Sequence, residues 1–68
     1  MDMTYPQEYD FYEVYAQSDT GDFDIFVEQT SDIEVAIAAA RRYADSHETT
    51  CQVIFNDNAY AVIINRRM

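Results

Sequence analysis

A chain of 68 residues with a formal charge of −9 and 49% hydrophobic content describes one domain near the lower size limit for a single apolar core, yet it is too rich in Tyr, Phe, Ile and Val for a disordered acidic tail. Its single cysteine, Cys51, excludes an internal disulfide, and no apolar run approaches a signal-peptide core or a membrane span, so the expected compartment is the cytoplasm. Residues 1–40 carry ten acids and no Lys or Arg, while Arg41, Arg42, Arg66 and Arg67 supply every cation; this argues against nucleic acid and anionic membrane as direct ligands of the first half and makes a basic partner the natural complement.

Residues 1–8, MDMTYPQE, read as a loosely held arm, because Pro6 cannot donate to a strand ladder and nothing there is periodic. Residues 9–68 then form one domain. YDFYEVYA, from Tyr9 to Ala16, is β-branched and aromatic, and FDIFVEQ, from Phe23 to Gln29, alternates. The turn material SDTGD between them makes the pair a hairpin. The following SDIE has the form of a capping box, with Ser31 and Glu34 exchanging bonds with each other's backbone N–H groups. From about Asp32 to Ser46 a helix is expected, its apolar stripe running through Ile33, Ala36, Ile37, Ala40, Tyr43 or Ala44, and His47. CQVIFN and AYAVIINR complete the chain as a second hairpin turning through Asp57 and Asn58. The order ββαββ predicts an α+β fold: a four-stranded, mainly antiparallel sheet with one helix packed on one face.

Pairing Ala16 with Phe23 puts Tyr12, Val14, Ile25 and Val27 on the helix side and Phe11, Glu13, Tyr15, Asp24, Phe26 and Glu28 on the other. In the second hairpin, Cys51, Val53, Phe55, Tyr60, Val62 and Ile64 are expected inward, and Gln52, Ile54, Ala61 and Ile63 outward. One helix covers one face only. The other is left as an open surface mixing apolar groups with carboxylates, the composition of a partner or self-association surface, so a homodimer is also considered.

The tripeptide DTG at Asp19–Gly21 carries the catalytic aspartate of aspartic proteases, but that chemistry needs two such aspartates sharing a proton in a dry site. A calcium loop counted from Asp19 would place Gly21 third and Thr30 twelfth, which fails the required pattern. His47 and Cys51 lie four apart, with no further His or Cys to complete a zinc site and no third group to orient the imidazole. They read as a helix-terminal histidine and a buried free thiol. The expectation is therefore a non-enzymatic protein with no cofactor and no metal.

The acids carry more information. Two residues along a strand advance about 6.6 Å, so Glu13, Asp19, Asp22, Asp24 and Glu28 on one cation-free hairpin would form a negative ridge whose spacing approaches that of successive phosphates. Phe11, Tyr15 and Phe26 would supply apolar anchors beside it. In size, charge, lysine-free acidic first half and compact α+β layout, the whole chain resembles the small acidic anti-defence inhibitors of bacteriophages, including DNA-mimicking anti-CRISPR proteins. The resemblance implies binding to the basic groove of a nucleic-acid-binding host protein in competition with the nucleic acid. By pattern alone, residues 9–65 also resemble the small ββαββ modules of unknown function common in prokaryotic genomes, which implies an interaction module that dimerises or docks through its open sheet face.

Overall fold

Four segments of alternating or β-branched residues form strands in the computed structural model, which describes residues 11–64: β1 (Tyr12–Gln17), β2 (Phe23–Thr30), β3 (Thr50–Phe55) and β4 (Asn58–Ile64), with the helix α1 (Ile33–His47) between β2 and β3. All pairings are antiparallel and the sheet order is β2-β1-β3-β4. The expected α+β, ββαββ architecture is thus present. The arm at residues 1–8, the strand start at Tyr9 and the C-terminal Arg66 and Arg67 lie outside the described residues.

Strand order follows from burial. Val14, Ala16, Cys51 and Val53 are fully buried, and they belong to the two central strands, β1 and β3. Across from them α1 presents Ala36, Ala39, Ala40 and Ala44, with Ile33, Ile37 and Tyr43 half-buried at the margins. Methyl-sized groups let the helix lie close on the sheet, and α1 touches all four strands. The expected stripe stops one turn early: His47 is exposed, its ring stacked on Tyr43 at 3.8 Å and 10°.

The helix start differs by one residue from the capping-box reading. Asp32, not Ser31, is the N-cap, its Oδ1 accepting from the Glu34 N–H at 2.9 Å, while Thr30 Oγ1 accepts from the Asp32 N–H at 3.1 Å. Aspartate caps as well as serine and adds a charge at the positive end of the helix dipole. At the other end Glu48 takes a left-handed conformation (φ 52°), and the N–H groups of Glu48 and Thr49 both reach the Ala44 carbonyl. Thr49 Oγ1 donates to the Gln17 carbonyl at 3.0 Å, tying the helix exit to the end of β1.

Three register shifts correct the expected facings. Ala16 pairs with Ile25 rather than Phe23, and extra residues in β2 at Asp24 and Val27 accommodate the offset. In the second hairpin the turn is Asn56–Asp57 (φ 51° and 68°), one residue earlier than expected, and Asn58 already belongs to β4. Two positive φ values match the twist of the flanking strands, which asparagine and aspartate tolerate. A shift at Tyr60 then pairs Val53 with Ala61 and Cys51 with Ile63. Ala61 and Ile63 therefore face the helix, and Val62 and Ile64 face away, the reverse of strict alternation from the turn. Tyr60 keeps its expected side, its ring meeting Tyr12 edge-on at 5.6 Å, although it is exposed.

This facing has a measurable consequence. Ile63→Ala removes a side chain that is 8% exposed and is expected to cost about 2–4 kcal/mol, whereas Ile64→Ala, at 62% exposed, should stay within about 0.5 kcal/mol. Urea denaturation of the two variants compares them directly; equal losses would contradict the register.

Candidate functional site

Since α1 covers one face, the other is bare. Its centre is Tyr15 on β1, flanked by Phe26 on β2 with ring centroids 5.7 Å apart at 71°. On the far side Gln52 pairs with Tyr15, and Val62 pairs with Gln52. Ile54 and Ile64 extend the same face along β3 and β4. Phe26, Val62 and Ile64 are 56%, 53% and 62% exposed, so large apolar side chains stand in water on both edge strands, with Gln52 and Glu13 on the central strands between them. Val62 and Ile64 were missed from the sequence. No local signal marked them: the equally bulky Ile63 faces the helix, and the inversion comes from the shift at Tyr60.

Each expected contact residue has a definite place. Glu13, Tyr15 and Phe26 share the open face. Phe11 lies just before β1 and is half-buried. Asp24 is the unpaired extra residue of one shift, at the exposed sheet edge, and Glu28 pairs with Val14 rather than lying in line with Phe26. The expected row of Asp24 and Glu28 on one face is thereby corrected: the inserted residues break the two-residue repeat between them. Asp19 and Asp22 sit in the β1–β2 turn, exposed. All five acids remain on the β1–β2 hairpin: Asp19 and Asp22 in its turn, Asp24 and Glu28 on the edge strand β2, and Glu13 on the central strand β1.

The turn itself is built by local bonds. Gly21 adopts φ 94°, in the left-handed region that favours glycine, and donates to the Ser18 carbonyl at 2.9 Å; the Ser18 N–H donates to Asp22 O at 2.8 Å. Thr20 Oγ1 donates to Asp22 Oδ2 at 3.2 Å, so the carboxylate bonded within the turn is that of Asp22 rather than Asp19. Gln17 Nε2 donates to the Gly21 carbonyl at 2.9 Å and braces the loop from β1.

Electrostatics mark one residue of the open face. Tyr15 Oη donates to Glu13 Oε1 at 3.4 Å. Partial burial pushes the Tyr15 hydroxyl above its ordinary value, with the Glu13 charge, the Glu13 hydrogen bond and the Asp57 charge adding in that order. Burial likewise raises the Cys51 thiol, which disfavours the reactive thiolate. Among the described residues no group of three His, Cys, Asp or Glu could hold a metal ion, and no helix is long and apolar enough to cross a membrane. No family model, curated protein or solved structure matches this chain.

The raised tyrosine sets a pH dependence. The neutral phenol is favoured by folding, so its contribution is fully present below about pH 10, the unfolded value, and is lost as pH rises through the higher folded value. Ultraviolet titration of tyrosinate should find a late-ionising tyrosine that Glu13→Gln moves back toward the ordinary range. If Glu13→Gln leaves the titration unchanged, Glu13 does not act on Tyr15.

Proposed function

We propose that the protein is a non-enzymatic inhibitor that seats its acidic β1–β2 hairpin in the basic nucleic-acid-binding surface of a host protein, competing with the nucleic acid as DNA-mimicking anti-defence proteins do. The observation that carries this reading is the charge of that hairpin and its position. Glu13, Asp19, Asp22, Asp24 and Glu28 occur there without any Lys or Arg, and its two strands form one half of the sheet. Arg41 lies at the opposite edge, its Nη1 donating to the Ile64 carbonyl at 2.8 Å. A Lys/Arg-lined groove can close over the hairpin without meeting it. Complementary charge steers such an encounter, and the adjoining Tyr15 and Phe26 give it apolar area to hold.

A second reading rests on Phe26, Val62 and Ile64, exposed across the open face: docking on a partner subunit through apolar contact, with the acids acting as a solubilising surround. Salt separates the two. Retention of nucleic-acid-binding proteins from host lysate should fall steeply between low and high ionic strength if the hairpin carries the contact, and hardly change if the apolar face does. For an isolated partner, D22K/D24K should weaken binding by at least about tenfold, as expected for reversed charges facing a basic groove; unchanged affinity would overturn the inhibitor reading.

A further inference from the structure

The two edges of the sheet are unlike. β2 carries Asp24 and Glu28 and two register shifts, the charges and bulges by which a natural edge avoids pairing with another strand. β4, Asn58–Ile64, has the sequence NAYAVII, with no charge and no proline; its single shift at Tyr60 leaves Ala61–Ile64 regular. Among the described residues no strand lies on its outer side. Uncharged, apolar edges of this kind are templates for strand addition.

Charge decides what the edge would take. One end of β4 follows Asp57 in the turn; the other carries Arg41 on the Ile64 carbonyl and leads in sequence to Arg66 and Arg67. The strand is therefore uncharged along its length, acidic before its start and basic after its end. An identical strand laid antiparallel beside it brings each basic end to the other's acidic end, twice, whereas a parallel copy sets like charge on like. We propose that β4 is a dimerisation edge, two copies of the chain pairing antiparallel about a two-fold axis into one eight-stranded sheet. Such an interface is isologous and closes after two copies. Both helices then lie on one side, and the two bare faces join into a single surface on the other. The proposal is independent of the inhibitor reading.

The test is sedimentation equilibrium on the full chain from micromolar to millimolar concentration, with amide hydrogen exchange followed over the same range. A monomer–dimer equilibrium is expected, with amides of β4 gaining protection as concentration rises and those of β2 unchanged. Val62→Lys and Phe26→Lys make the same change of net charge at exposed positions on opposite edges. Val62→Lys should weaken the dimer by about tenfold or more, since like charges meet near the axis of a paired edge, and Phe26→Lys should leave it intact. A chain that stays monomeric, protection appearing in β2, or a dimer dispersed by Phe26→Lys and not by Val62→Lys would overturn the proposal. Exchange in the unaltered chain decides the matter even if Val62→Lys fails to fold. Protection of β4 that does not depend on concentration would also overturn it, because the edge would then be occupied within one copy.

Discussion

Contact between the alanines of α1 and the valines of the central strands is the constraint from which the rest of the structure follows. Ala36, Ala40 and Ala44 are fully buried against a sheet whose largest fully buried side chains are only Val14, Val53 and Cys51. A core of such small groups removes little apolar area per residue from water, so it gains by bringing backbones close and filling the space without voids. Close approach in turn requires the small residues of β1 and β3 to lie under the helix axis. The remaining strands become edges, and the aromatic side chains, with Val62 and Ile64, lie at the margins or on the opposite face.

Much of this was legible in the sequence because each element satisfies its own local rule. Helix periodicity, strand alternation and the turn residues Gly21 and Asp57 all pointed to ββαββ, and the helix bounds shifted by a single residue at each end. Strand order was not legible, since pairing depends on which strands lie under the helix. Nor were the three register shifts. Each inserts one residue whose cost and benefit depend on neighbours distant in sequence: Val27 packs against the core, and Tyr60 reaches Tyr12 across the sheet. A period-two reading propagates past such a point with every side chain inverted. Val62 and Ile64 were misplaced for that reason, while Tyr15 and Phe26, which lie between the shifts of the first hairpin, were placed correctly.

The same shifts redistribute the acids. Without them Asp24 and Glu28 would line one face in a regular row; with them the charges spread along the outer hairpin, and Glu13 remains beside Tyr15. Bulges are also a means of keeping an edge strand from indiscriminate pairing. In β2 they occur together with charge. In β4 the charge is missing, and the two sides of one small sheet have different chemical characters as a result.

A helix on one face only also separates two kinds of evolutionary freedom. Enlarging Ala36, Ala40 or Ala44 would lift the helix from the sheet and disturb every contact at once. Replacing Phe26, Val62 or Ile64 disturbs almost nothing that holds the chain together, because these side chains spend most of their surface in water. Sequence drift on the bare side is therefore nearly free. A protein arranged in this way can revise what it recognises, one exposed side chain at a time, while the arrangement that keeps it folded stays under a different and much stricter selection.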